Sequence, residues 1–182
     1  RGQGNLASLV EHAGDPPSWP SKEDLHARLK TGAAGPGLSA QFGPDSCPES
    51  VLLTLGRPDF WDVAAYCFTL GLDRTAPGGI AQRGMRVTLP SSVSLESARL
   101  ESPPGVEPLL IGYDPSFDVF VLWDTEIRQG PEGFARHEPL WITESLLYGA
   151  VGSSDGVMAR RYGANNAPFV ACRETALAEG PR

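Results

Sequence analysis

The sequence predicts an α+β domain: a mostly antiparallel bent sheet or small pseudobarrel with short helices at its periphery. Three observations lead there. Pro108 to Asp124 reads PLLIGYDPSFDVFVLWD, two apolar runs around a turn of Asp114, Pro115 and Ser116, which is the pattern of a β-hairpin. Phe60 to Leu70 and Met85 to Leu89 carry further strand-type patterns. Helical patterns are few and short in a chain of 21 glycines and 17 prolines, which punctuate structure into brief segments.

Taken in order, residues 1–50 form an N-terminal region of two short helices and a Gly/Pro-rich linker, and residues 51–182 form the β-rich domain. Asn5 is positioned to cap Leu6, Leu9 and Val10. Ser21 with Asp24 three residues later makes a capping box that opens a helix from Leu25 to Lys30, with Gly32 beyond its end. Residues 31–50 read as linker. Phe60 to Leu70 places Trp61, Val63, Tyr66, Phe68 and Leu70 in a long strand, with an irregularity at Ala64 and Ala65, and Met85 to Leu89 is its expected pairing partner. The intervening GLDRTAPGGIAQRG reads as a long functional loop. In the core hairpin, Leu109 to Ile111 pairs with Val119 to Trp123, and the unbroken apolar run of the second strand is what a strand covered on both faces requires. Leu140 to Ile142 is a short strand, Thr143 caps a helix through Leu146, Leu147 and Ala150, Pro168 to Cys172 closes the sheet, and Glu174 to Ala178 is a last helix.

The bulk composition fits one domain: 182 residues, 41% of them apolar, suffice for a substantial core. No apolar run approaches the roughly 18 residues a membrane span needs, and the first residues lack the basic, apolar and small-residue order of a signal peptide. The expectation is a soluble, cytoplasmic protein with no membrane partner. Cys47, Cys67 and Cys172 are far apart and read as reduced thiols rather than zinc ligands.

The formal net charge of -7 argues against a protein that coats nucleic acid nonspecifically. The charge is uneven. Residues 101–135 hold Glu101, Glu107, Asp114, Asp118, Asp124, Glu126 and Glu132 against Arg128 alone. Residues 61–100 set Asp62, Asp73 and Glu96 against Arg74, Arg83, Arg86 and Arg99, and are the one mildly basic stretch.

Catalytic patterns are missing. A divalent-metal nuclease of the common kind gathers two carboxylates and a lysine at a sheet edge. Both lysines here, Lys22 and Lys30, fall in the N-terminal helix. His12, His26 and His137 are isolated, and Asp114 with Asp118, or Asp124 with Glu126, are better explained as turn and strand-end capping than as metal ligands. A thiol–imidazole pair of Cys67 or Cys172 with His137 has no support from its surroundings. No nucleophile elbow, Walker loop or G-x-G-x-x-G occurs, so neither catalytic residue, metal nor cofactor is assigned.

Binding features are easier to name. Arg74, Gln82, Arg83 and Arg86 lie in or beside the long loop, and guanidinium groups suit phosphate oxygens and the edge of guanine. Arg128, Arg136 and His137 lead to the strand that carries Trp141, and Arg160 and Arg161 stand next to Tyr162 in a second irregular stretch. Trp61, Tyr66 and Trp123 read as core.

The succession of a strand ending in CFTL, a Gly-rich loop leading to QRGMRVTLP, then PLLIGYDPSFDVFVLWD, GFARHEPLWITESLLYGA and PFVACRETALAE resembles a recognition domain of bacterial restriction endonucleases and related defence proteins. The similarity spans roughly residues 60–178 and is most specific in the hairpin. Such domains commonly have pseudobarrel folds of the B3-like or PUA-like (SRA) type. The resemblance implies double-stranded DNA as ligand, with modified bases among its targets, and a nuclease on another domain or subunit. Gln82, Arg83 and Arg86 match the polar segment of the pattern, and Asp118, Trp123 and Asp124 match its hairpin. Ala81 and Gly84 replace an acidic–aromatic pair that the pattern usually shows beside the arginine. Two functions follow as expectations: noncatalytic recognition of double-stranded DNA in a restriction or antiphage system, with loop 71–86 and segment 128–137 embracing the duplex, or an acidic protein-interaction or scaffold domain that binds no nucleic acid.

Overall fold

A computed structural model describes residues 20–33, 40–42, 51–55, 61–88, 97–135, 137–162 and 167–177. In chain order the elements are α1 (Lys22–Ala33), β1 (Ala40–Phe42), β2 (Val51–Leu55), β3 (Trp61–Thr69), β4 (Leu72–Ala76), β5 (Ile80–Thr88), β6 (Ser97–Ala98), β7 (Glu107–Asp114), β8 (Val119–Trp123), α2 (Thr125–Gln129), β9 (Phe134–Ala135), β10 (His137–Thr143), α3 (Glu144–Gly152), β11 (Val157–Tyr162), β12 (Ala167–Arg173) and α4 (Glu174–Leu177). The α+β class holds. The sheets are open, so the small-barrel alternative falls away: the large sheet runs β1-β2-β3-β7-β8-β12-β11 and ends on β1 and β11.

The core hairpin forms as its sequence requires, with Leu110 opposite Trp123 and Asp114 opposite Val119. All five residues of β8 are buried because both faces of the sheet are covered. Phe120 and Leu122 point to one side, where Leu25 and Leu29 of α1 and Ala176 and Leu177 of α4 pack on them. Val119, Val121 and Trp123 point to the other, into a second cluster with Met85, Val87, Leu140, Ile142, Leu146 and Leu147. The same alternation runs through β3, whose register with its neighbours is continuous through Ala64 and Ala65. These two alanines are fully buried on opposite faces, so the expected irregularity is instead a place where small side chains admit close packing.

The expected pairing of β3 with β5 is corrected. β3 pairs with β2 and, in parallel, with β7. A parallel pair needs a crossover connection, and this one carries β4 and β5 over the second face of the large sheet. There β5 pairs with β4 and β10 to make a three-stranded sheet, β10-β5-β4. Met85 and Val87 therefore meet Ala64 and Tyr66 face to face rather than edge to edge. The stretch read as a flexible loop is the β4–β5 hairpin, closed by Pro77, Gly78 and Gly79 between the paired Ala76 and Ile80. Gly78 and Gly79 have φ of 84° and 76°, and the Gly79 amide donates to Ala76 O at 3.1 Å, so the Pro-Gly-Gly sequence turns the chain at no steric cost.

Two further readings change. Residues 31–50 are not all linker, since α1 extends to Ala33 and β1 occupies Ala40–Phe42. Arg160, Arg161 and Tyr162 are in the regular strand β11, paired with β12. The capping box is present: the Asp24 amide donates to Ser21 Oγ at 3.1 Å and the Ser21 amide to Asp24 Oδ2 at 3.0 Å. Gly32 lies inside the helix, where an added Cβ would stand 2.8 Å from Glu174 O, so it is a point of close approach to α4 and not a terminator. The helix expected after Asn5 lies outside the described residues.

Candidate nucleic-acid interface

Register in the three-stranded sheet decides which side chains share a face, because directly paired residues of antiparallel strands point the same way. Met85 and Val87 of β5 point inward to the core, and Arg83 has their parity. Gln82, Gly84 and Arg86 have the opposite parity and point outward. Pairing extends this outer face to Leu72 and Arg74 on β4 and to His137, Pro139, Trp141 and Thr143 on β10. Ile80 and Ala76 continue it to the tip of the hairpin.

Five of the residues singled out from sequence, Arg74, Gln82, Arg86, His137 and Trp141, thus lie together on one face. Trp141 is opposite Gly84, and a Cβ added at Gly84 would stand 2.5 Å from Trp141 Cε3 and 2.8 Å from Leu140 O. The missing side chain lets the indole cross the strand. The Arg74 guanidinium stacks over the same indole, 4.1 Å from its centroid, and its Nε donates to Gln82 Oε1 at 2.7 Å. Arg86 and His137 are exposed beyond it. No Asp or Glu occupies any outward register position of this sheet. Asp73 and Glu138 both have inward parity. In a chain of net charge -7 this is a locally cationic, aromatic surface.

Arg83 departs from that group. Its Nη1 donates to Asp73 Oδ1 at 2.7 Å and its Nε to Glu144 Oε1 at 3.0 Å, while Asp114 Oδ2 lies 3.9 Å from Nε. The Phe117 ring lies against the guanidinium at 5.8 Å. Burial works against the charge of Arg83, and the carboxylates of Asp114, Asp73 and Glu144 outweigh it, raising its pKa above the ordinary value. Asp114 is fully buried, and burial pushes its carboxyl above the usual range against the pull of Arg83. Its Oδ1 accepts the amides of Ser116 and Phe117 at 2.9 and 3.3 Å, the turn-capping role read from sequence. Arg83 therefore ties β5 to β4, α3 and the hairpin turn from the inner side of the small sheet.

Of the remaining assigned residues, those whose backbone is described lie on other elements. Arg128 is on α2, which packs on β7 of the large sheet. Asp124 caps that helix, accepting the Ile127 amide at 2.9 Å. Arg160 and Arg161 lie on β11 opposite Phe169 and Pro168, at the far edge of the large sheet, and their side chains are outside the described residues. Arg136 is outside them as well.

Comparison with protein-family models, with curated proteins and with solved structures finds no match. The chemistry must be read from the residues. Cys67 and Cys172 are buried, and burial pushes the Cys172 thiol up to about 12 and that of Cys67 higher still, so neither is a thiolate at neutral pH. Both belong to the cluster beneath α1 and α4, whereas His137 is on the outer face of the other sheet, which separates the thiols from the imidazole. Among the described residues no three His, Cys, Asp or Glu side chains are gathered to hold a metal, and no helix is long and apolar enough to cross a membrane. Ile80, which sequence reasoning passed over, belongs to this face, and Gly84, noted there only as a departure from the family pattern, makes room for its indole. The signal for both was parity with Gln82 and Arg86.

Proposed function

We propose that this chain is a noncatalytic double-stranded DNA recognition module of a restriction or antiphage defence system, and that the outer face of the β10-β5-β4 sheet is its DNA-binding surface. One observation carries the reading: the outward register positions are free of acids and group Arg74, Gln82, Arg86, His137 and Trp141 on a sheet with a projecting two-stranded arm. A two-stranded ribbon is one of the shapes the major groove of B-DNA admits, and arginine and glutamine are the side chains suited to guanine and adenine edges there. The net acidity of the rest of the chain disfavours nonspecific coating. The resemblance of the hairpin and its flanking segments to restriction-enzyme recognition domains agrees with this, with cleavage assigned to a nuclease domain or subunit of the same system.

A second reading, an acidic protein-interaction or scaffold domain, rests on the Phe117–Tyr148 ring pair, whose Tyr148 is 51% exposed and whose Phe117 lies against Arg83, the partner of the Asp73 and Glu144 carboxylates. Fluorescence anisotropy with duplex oligonucleotides at two salt concentrations separates the two. On the DNA reading, Arg74→Ala and Arg86→Ala each weaken binding and lower the slope of log affinity against log salt by about 1 for each phosphate no longer neutralised. No duplex binding at low salt would remove the DNA reading in favour of the second.

A further inference from the structure

The inner side of the small sheet holds a buried polar atom that its surroundings leave unsatisfied. Asp114 Oδ1 is taken up by the two turn amides, but Asp114 Oδ2, on a side chain only 1% exposed, has no hydrogen-bond partner among the described residues. The cation facing it is the Arg83 guanidinium, whose Nε stands 3.9 Å away, beyond the roughly 2.7–3.2 Å of a hydrogen bond. That nitrogen carries a single N–H, and it is given to Glu144 Oε1 at 3.0 Å. Two carboxylates thus face one donor, and their positions are unequal. Glu144 is 25% exposed and can exchange the bond for water, whereas an ionised Asp114 has Arg83 alone to turn to. Burying a carboxylate without a partner costs far more than burying a neutral carboxyl. The arrangement in the structure is therefore the one that suits a protonated Asp114.

We propose that Arg83 is a proton-operated latch beneath the β10-β5-β4 sheet. With Asp114 neutral, the Arg83 Nε–H holds Glu144 and ties β5 to the start of α3; with Asp114 ionised, the same N–H moves to Asp114 Oδ2 and releases Glu144. The proton leaves to solvent, and only hydrogen bonds change. The displacement needed is about 1 Å, the gap between the present separation and a hydrogen-bonded one. Asp73 keeps its bond to Nη1 in both states, so β4 stays attached. The charged groups that face Asp114 are Arg83 from β5, Asp73 from β4 and Glu144 from α3, while Val119 stands opposite on β8 and Tyr148 of α3 sets its ring against Phe117. Burial raises the Asp114 carboxyl, with the Asp73 charge in support, against the pull of Arg83 and the turn amides. Glu144 follows directly on β10, so its release loosens the junction between the strand that carries Trp141 and α3. The latch does not depend on what the outer face binds.

The test is a pH titration of the full chain by NMR, following the Arg83 Nε–H and the side-chain carboxyl carbons of Asp114 and Glu144. The expected result is that the Arg83 and Asp114 signals move together, with one midpoint above the ordinary aspartate value of about 4. Asp114→Asn carries no titrating group and is expected to keep the Arg83 Nε–H at its low-pH position throughout. Glu144→Gln removes the competing charge, which leaves Arg83 freer to meet an ionised Asp114, and is expected to shift the Asp114 midpoint to lower pH. An Asp114 transition that leaves the Arg83 Nε–H unmoved, an Nε–H transition that persists in Asp114→Asn, or an Asp114 midpoint at the ordinary value overturns the latch. Should Asp114→Asn fail to fold, Glu144→Gln decides, because Glu144 is partly exposed and its replacement keeps the shape of the side chain: an Asp114 midpoint unmoved or raised in that variant overturns the latch as well.

Discussion

The Trp141 indole crosses β5 at Gly84, where a Cβ would stand 2.5 Å from its Cε3 atom. The same indole carries the Arg74 guanidinium, whose Nε donates to Gln82 Oε1. A residue without a side chain on one strand thus sets the position of a cation donated by another. Gly84 has no left-handed φ, so its value here is space rather than backbone freedom.

Gly84→Ala is accordingly expected to displace the indole, because the backbone oxygen of Leu140 at 2.8 Å closes the other direction. Overpacking of this kind costs about 1–3 kcal/mol. Urea denaturation reads the stability loss, and the Arg74-dependent part of DNA affinity should fall with it. Unchanged stability and unchanged binding would mean that the indole is free to move.

Arg83 is a candidate DNA contact on sequence grounds, and its geometry assigns it another task. Arg83→Ala leaves Asp114 buried without its nearest cation and cuts the tie among β4, β5 and α3. A loss of about 2 kcal/mol is expected, below the range for fully buried pairs because the arginine is partly exposed. Arg83→Lys should recover little, since one ammonium cannot reproduce separate guanidinium bonds to Asp73 and Glu144. The salt dependence of DNA binding should be unchanged in Arg83→Lys and reduced in Arg86→Ala, a contrast that anisotropy measures directly.

Asp114 gives a pH dependence. Its carboxyl titrates above the ordinary value in the folded protein, chiefly through burial, so the folded state holds the proton more tightly than the unfolded chain. The stabilisation is fully present below the unfolded value, near pH 4, and is lost as pH rises through the folded one. Asp114→Asn cannot titrate and keeps a carbonyl oxygen for the Ser116 and Phe117 amides. Stability of this variant relative to wild type should therefore rise with pH from about 4 and level off above the folded pKa. Chemical denaturation across that range gives the curve, and a flat difference would show that Arg83 cancels the burial penalty.

Much of this architecture is legible in the sequence because its causes are local. The hairpin around Asp114, the capping box at Ser21 and Asp24 and the closing strand into α4 each depend on neighbours in sequence. The partner of β3 is not legible, since pairing brings together residues far apart and the same apolar pattern serves edge-to-edge or face-to-face contact. The arm reads as a loop because Pro77, Gly78 and Gly79 suit an irregular segment and a tight turn alike. The face of Arg83 is readable in principle: it alternates with Met85 and Val87, which have to be inside. What sequence could not provide were the carboxylates waiting there, because Asp73, Asp114 and Glu144 come from three separate elements.

Asp118 combines an unfavourable backbone with a useful side chain, and the two effects can be separated. Its φ of 53° places a non-glycine residue in the left-handed region. Its Oδ1 accepts the Tyr113 hydroxyl at 2.6 Å and lies 3.1 Å from Arg28 Nη1, which also reaches Glu174 at 3.4 Å. Through these contacts the hairpin end is tied to α1 and α4. The exposed ion pair contributes little, so the phenolic hydrogen bond and the backbone conformation decide the outcome. Asp118→Ala loses the bond and retains the strain, whereas Asp118→Gly loses the same bond and relieves it. Glycine should therefore be the more stable of the two by about 1 kcal/mol, the cost of a left-handed conformation for an L-residue. Matched urea melts of the two variants measure that difference with the side-chain contribution removed from both, and equal midpoints would show that the turn relaxes when Tyr113 is released.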